Sequence, residues 1–368
     1  MRRWTMSVGL VLVALNVTQC SNGTSRRTPP TPTTSKAATT SVLTGPGFGA
    51  CMVTDAGGIN DASFNASAYQ GLEDARAADS TVHIQYLQPA AASDYAADIN
   101  ALIAANCGII VTVGYLLGDA TESAARSHPA QKFAIVDDSY SPPLPNVKGL
   151  IFNSAQSGFL GGYLAAGMSR TGSVATFGGQ HLPPVTNYMD GFWEGVQYYN
   201  GVHHADVTVF GWDEKSQSGT FTGNFTDEAK GEQVAQTFVQ RGADVIFPVA
   251  GGVGLGAAAA VQRAGHGVHL VWVDTDGCVC APQYCSLFIS SVTKGIAVAV
   301  EQAVDDAASG AFAGGDSVGT LANNGVGLAP FHDFVGAVPA ALKAELDRVR
   351  QGIASGSITI SSPSQPAG

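Results

Sequence analysis

The chain has 368 residues, of which only 13% are charged, with 45 glycines and a formal net charge of −11. That length exceeds what one hydrophobic core usually serves, so two lobes are expected. The acidic balance argues against nucleic acid as a partner, because phosphate binding relies on Lys/Arg stripes that are missing here.

The N-terminus reads as an address rather than as structure. Arg2 and Arg3 form a positive region, Val8 to Leu15 a short apolar run, and Cys20 follows Val17-Thr18-Gln19. The run is too short for a membrane span. A segment ending in Cys in this way resembles a lipoprotein signal over residues 1–20, whose cleavage leaves Cys20 as the acylated first residue. Gln19 stands where such signals carry a small residue, and ordinary secretion and an uncleaved anchor are the rival readings. Residues 21–44 are rich in Thr, Ser and Pro and bury too little to order themselves, so they are expected to form a disordered tether.

The first strand spans Gly49 to Thr54, and a polar turn on Gly57-Gly58 leads into a helix in which Phe64, Ala68 and Leu72 repeat at helical spacing. Strands follow at Val82 to Leu87, Gly108 to Val113, Phe133 to Val136 and Val147 to Phe152, with helices at Asp94 to Ala105 and Asp119 to Ser127 between them. A second cycle has strands at Ser173 to Phe177, Val207 to Gly211, Val245 to Val249 and Leu270 to Val273. Its helices lie at Gly158 to Ser169, Thr186 to Gly201, Lys230 to Arg241 and Gly254 to Arg263. A strand-like stretch, Leu287 to Val292, ends this cycle. Alternation of this kind implies parallel sheets covered on both faces, here an α/β clamshell of two lobes. Helices from Lys294 to about Ser309 and from Pro339 to Ala354 and a strand from Ser357 to Ile360 complete the chain.

Five cysteines remain after Cys20, and an exported chain sits in an oxidising compartment, so bridges are expected before metal ligation. Cys51 and Cys107 can face one another across neighbouring strands, and Cys285 can bridge Cys278 or Cys280, leaving one thiol over. A zinc site is the rival, but C-x-C-x4-C lacks a second half of suitable spacing. No metal or cofactor is expected.

Asp55, Asn60, Asp61, Phe64 and Asn65 crowd the first strand-to-helix junction. Asp61 or Ser63 can cap the helix, but capping does not explain the rest, and open α/β sheets bind ligands beyond the carboxyl ends of their strands. A ring beside carboxylates and amides suits a polar ligand with an aromatic part. Asp137 and Asp274 sit at further strand ends, where a buried carboxylate needs donors such as ligand hydroxyls; helix capping is the bland alternative. The glycines from Ala250 to Gly256, Gly251 among them, form only a weak dinucleotide fingerprint and read instead as backbone that lets a ligand approach. The sequons at Asn65 and Asn224 read as accidental.

The junction D-A-G-G-I-N-D-A-S-F-N resembles the signature of the basic membrane protein family, bacterial substrate-binding lipoproteins that include the purine nucleoside receptor. F-A-I-V-D at 133–137, F-T-D-E-A-K-G at 225–231, G-A-D-V-I-F-P-V-A-G-G-V-G at 242–254, W-V-D-T-D at 272–276 and S-S-V-T-K at 290–294 extend the resemblance over residues 48–360 in the family's order. It implies a non-enzymatic receptor that closes on a nucleoside, a purine foremost, and delivers it to an ABC-type permease and its ATPase. Similarity to type I periplasmic binding proteins implies three crossings between lobes. The expected first lobe is then residues 45–152 plus about 293–325 and the second 153–292, with residues 326–368 unassigned.

The resemblance places Asp55, Asp61, Phe64, Asn65 and Asp137 on one side of the ligand, with Phe225, Gly251 and Asp274 on the other and Lys294 near the hinge. Phe64 and Phe225 would sandwich the base, Phe225 standing where the family more usually has Trp, and Asn65 would bond both sugar and base edge. A monomer, lipid-anchored to the outer face of the bacterial membrane, is expected. A sugar or other polar solute as ligand, an envelope receptor without transport, and a nucleoside hydrolase or dehydrogenase are the alternatives.

Overall fold

The computed structural model describes residues 47–265 and 267–366. Cys20 and the tether therefore lie outside the described residues. In chain order the first part holds β1 (Phe48–Val53), α1 (Phe64–Ala78), β2 (Val82–Leu87), α2 (Tyr95–Ala104), β3 (Ile109–Val113), α3 (Gly118–Ser127), β4 (Lys132–Val136) and β5 (Val147–Phe152). Next come α4 (Ser154–Met168), β6 (Ser173–Gly178), α5 (Pro183–His203), β7 (Thr208–Phe210), a small hairpin of β8 (Trp212–Asp213) and β9 (Ser218–Gly219), and α6 (Glu228–Gln240). β10 (Val245–Val249), α7 (Val253–Ala264), β11 (His269–Asp274), α8 (Gly277–Cys280) and β12 (Phe288–Lys294) follow. The chain ends with α9 (Ile296–Ser309), β13 (Gly315–Gly319), β14 (Val326–Leu328) and α10 (Ala340–Ala354).

Two six-stranded sheets result, in the orders β13-β5-β4-β3-β1-β2 and β14-β12-β11-β10-β6-β7. Every pairing in them is parallel except that of β12 with β14. The central strands are buried end to end, as in Ile109–Val113 and Val245–Val249, because helices cover both faces of a parallel sheet. The chain passes between the sheets three times: from β5 into α4, from β12 into α9, which packs on α1, and between β13 and β14. α10 packs against α4, on the second lobe.

Several elements differ from the sequence reading. No strand forms at 357–360; residues 361–366 instead run as a strap along α5. There Ser361 N donates to Glu194, Ser362 Oγ to Asp190 at 2.5 Å, and Ser364 Oγ shares a hydrogen bond with Thr186. The strap reaches the first crossing, where Asn153 Nδ2 donates to Gln365 Oε1 at 3.0 Å. β13 and β14 escape the sequence because G-D-S-V-G and V-G-L carry almost no strand-forming side chains; their neighbours β5 and β12 supply the pairing.

Cys51 of β1 is bridged to Cys107 just ahead of β3, and Cys278 to Cys285, leaving Cys280 as a thiol. Asp276, Cys278 and His332 each bring a ligand atom within 4.8 Å of the others, but the sulfur of Cys278 is committed to its bridge. Among the described residues no helix is long and apolar enough to cross a membrane.

The Cys51–Cys107 bridge closes a sequence separation of 56 residues inside the first core. Replacing both cysteines by alanine is expected to lower stability by about 2–4 kcal/mol through the freer unfolded chain. Denaturant melts of the two proteins under non-reducing conditions measure this.

Candidate ligand-binding site

The site begins where β1 gives way to α1. Asp61 caps the helix: its carboxylate accepts the backbone N–H groups of Ser63 (3.0 Å), Asn65 (2.8 Å) and Ala66 (3.0 Å). Ser63 makes no capping bond; its hydroxyl points elsewhere. The Asn65 amide lies between two acids, donating to Asp55 Oδ1 at 2.7 Å and Asp61 Oδ2 at 3.0 Å, while its Oδ1 accepts the Asp55 N–H at 3.1 Å. Both amide donors are thus spent, which corrects the expectation that Asn65 bonds sugar and base. It is a positioning residue that fixes Asp55, and its burial also takes it out of reach of a glycosylating enzyme.

Asp55 Oδ1 is held further by the Gly57 N–H at 2.7 Å. Burial pushes its carboxyl from 3.8 up to about 6, with Asn65 and Gly57 pulling the other way. Burial raises Asp61 as well, against its four donors.

At two further strand ends, those of β4 and β11, Asp137 and Asp274 both adopt left-handed backbone, with φ of 65° and 66°. Such backbone is costly for most side chains and cheapest, after glycine, for Asn and Asp. The Lys294 ammonium, at the end of β12, lies 2.6 Å from Asp137 Oδ2 and 3.6 Å from Asp274 Oδ1. Burial works against its charge, but the two carboxylates outweigh burial and hold it above the usual lysine range. It also sits over the rings of Tyr188 (5.0 Å), Phe64 (5.3 Å) and Phe152 (6.0 Å).

The junction also reaches across to the second lobe. Ser63 Oγ donates to Asp274 Oδ2 at 3.0 Å, Trp272 Nε1 to the Ala62 carbonyl at 3.3 Å, and the Cys280 thiol to that same carbonyl at 2.7 Å. Between these contacts lies a cavity shared by the two lobes. Asp55, Asp61, Phe64, Asn65 and Asp137 line it from the first lobe, and Phe225, Gly251, Asp274 and Lys294 from the second. Gly251 has φ of 53°, so it is the turn rather than lack of room that asks for glycine. Phe225 needs a different glycine: a Cβ on Gly179 would fall 2.3 Å from its ring.

Residues the sequence did not flag join them. Tyr188 of α5 is buried at the cavity wall beside Asp274 and Ser157, and among the described residues neither its hydroxyl nor Asp274 Oδ1 completes a well-aligned hydrogen bond. In sequence Tyr188 merges with the apolar face of its helix. Tyr115 and Leu116 are partly exposed on the loop after β3, a strand end that carries no acid in the sequence to mark it.

The chain matches the family described as Bmp, ABC transporter substrate-binding protein PnrA-like, over residues 48–360. The chain belongs to this family. A "CD4+ T-cell-stimulating antigen" of Listeria monocytogenes is 30% identical over 335 residues, covering 87% of this chain and 89% of that one. An "ABC transporter nucleoside-binding protein BmpA" of Lactococcus lactis is 29% identical over 334 residues, with 85% and 89% covered. An ABC transporter system solute-binding protein from Aeropyrum pernix superimposes with a TM-score of 0.76 at 26% identity, covering 86% of this chain and 94% of that one.

As a Bmp-family member the chain is an ABC-transporter substrate-binding protein, not an enzyme, with a small-molecule ligand and transporter subunits as partners. Its two mainly parallel sheets form the clamshell of periplasmic solute receptors. Its place of work is outside the cytoplasmic membrane.

A carboxyl that protonates more readily folded than unfolded adds stability below its unfolded pKa, and that stability is lost as pH rises through the folded value. For Asp55 the window runs from about 4 to about 6. Asp55→Asn keeps the acceptor used by Asn65 and Gly57 and drops the charge. The variant is expected to exceed the parent in stability by about 2–3 kcal/mol at pH 7.5, and by much less at pH 4.5. Urea titrations at both pH values test this; equal gains at the two would remove buried charge as the cause.

Proposed function

We propose that the protein is a lipid-anchored receptor for a nucleoside, with a purine as the preferred base. The reading rests chiefly on one observation: Phe64 and Phe225, from opposite lobes, and four aspartates line a single cavity. A ring between two phenylalanines gains stacking that tolerates changes at the ring edge. The aspartates then choose among such rings by what else they carry.

The sugar belongs at Asp137, Asp274 and Lys294, where carboxylates meet hydroxyl donors and the ammonium donates to ring or hydroxyl oxygens. The free edge of Asp55 faces the base side. The name of the Lactococcus lactis relative supports a nucleoside over a plain sugar. Hinge closure of the lobes would bury the ligand and present one closed form to the permease.

Asp274→Ala is expected to weaken nucleoside binding by about 2–5 kcal/mol, since truncation strands a buried charged partner. Calorimetry with inosine, adenosine and guanosine measures it, and undiminished affinity would take Asp274 out of the site. Native mass spectrometry of protein purified without refolding identifies the ligand directly. For the anchor, Cys20→Ser is expected to move the protein from the membrane to the soluble fraction; no redistribution on fractionation would refute lipidation.

A further inference from the structure

The cleft does not end at Asp137. On the hinge side a second chamber of about 190 Å³ shares Asp137, Tyr115 and Pro184 with the cavity described above. Its other polar lining comes from Asp138, Ser139, Asn187, Asp316 and Ser364, and no Lys, Arg or His among the described residues lines it. Phe152 at the end of β5, Val318 of β13 and the C-terminal strap form its walls.

The chamber holds acceptors in excess of donors. Asn187 is 2% exposed; its Nδ2 donates to Ser154 Oγ at 3.0 Å, and its buried Oδ1 has no partner among the described residues. Asp138 Oδ1 accepts the Ser139 N–H at 2.9 Å, and burial, helped by Asp119, Asp137 and Glu122, pushes its carboxyl up to about 6. Burial raises Asp316 too, with Ser139 and Lys148 opposing it. Asp316 Oδ1 lies against Gly149, where a Cβ would fall 2.4 Å from it, and Asp138 Oδ2 lies against Gly118. Lys148 of β5 stands beside Asp316 at the rim, and Lys294, outside this lining, is held by Asp137 and Asp274. A buried acceptor without a donor is a rarity in folded proteins and marks a place where a bound group completes the set.

We infer that this chamber takes a positively charged amine carried on the sugar end of the ligand, so that the receptor favours 5′-aminated nucleosides and rejects 5′-phosphorylated ones. This rests on the nucleoside reading, which puts the sugar at Asp137, the boundary between the two spaces. An ammonium supplies three donors and no acceptor, matching the Asp138 and Asp316 carboxylates and the Asn187 oxygen. A phosphate brings negative charge to a lining that already carries the carboxylates of Asp137, Asp138 and Asp316.

The test is calorimetry with adenosine, 5′-amino-5′-deoxyadenosine and adenosine 5′-monophosphate, or the inosine series if adenosine does not bind. The parent protein is expected to hold the amine at least fivefold more tightly than the alcohol and to show no monophosphate binding. In Asp138→Asn/Asp316→Asn the preference should fall below twofold while affinity for the neutral nucleoside stays within twofold, which also shows that the variant folds. Asn187→Leu should weaken the amine selectively. An amine bound no better than the alcohol, or a preference that survives the double variant, overturns the inference and leaves the nucleoside reading standing. Failure of every neutral nucleoside to bind overturns both.

Discussion

The Lys294 ammonium, buried between Asp137 and Asp274, is the interaction on which the rest of the cleft depends. It is an expensive arrangement, because desolvating three charges consumes most of what their attraction returns, and apolar residues of similar volume would often serve stability as well. Its effect is positional. One carboxylate belongs to the first sheet and the other to the second, so the cation between them sets how closely the lobes approach. Three aromatic rings around the same ammonium add favourable faces and keep water away.

The two aspartates show the same priority in their backbones. Left-handed φ at both strand ends would suit Asn or Gly equally well, so shape alone does not call for a carboxylate there. Charge does, and with Asp55 and Asp61 close by, negative groups outnumber the single cation of the cavity. Such an imbalance is tolerable where a donor-rich guest completes it. The upward shift of Asp55 is the sign that the hydrogen bonds from Asn65 and Gly57 offset burial of its charge incompletely.

Much of this was legible in the sequence because the chemistry sits at strand ends, and strand ends are marked by an abrupt change from apolar run to polar turn. Asp55, Asp137 and Asp274 all follow such a change. What sequence could not show is who bonds to whom. Asn65 reads as a ligand group until its donors are found on Asp55 and Asp61, a matter of χ angles and not of spacing. Tyr188 was hidden because a helix face that lines a cleft and one that lines a core share the same periodicity. β13 and β14 were hidden because their pairing is dictated by distant strands, and the local residues have little preference of their own.

The acid–amide network at the first junction has a bearing on the order of events at the cleft. Asp55, Asp61 and Asn65 all belong to one lobe, and the bonds among them do not involve the other. Swinging the lobes apart would break the contacts of Ala62 and Ser63 with Trp272, Asp274 and Cys280 and leave that network untouched. An open molecule thus still offers one finished half of its binding surface, a rigid landing place, while the other half has only to fold over whatever has settled there.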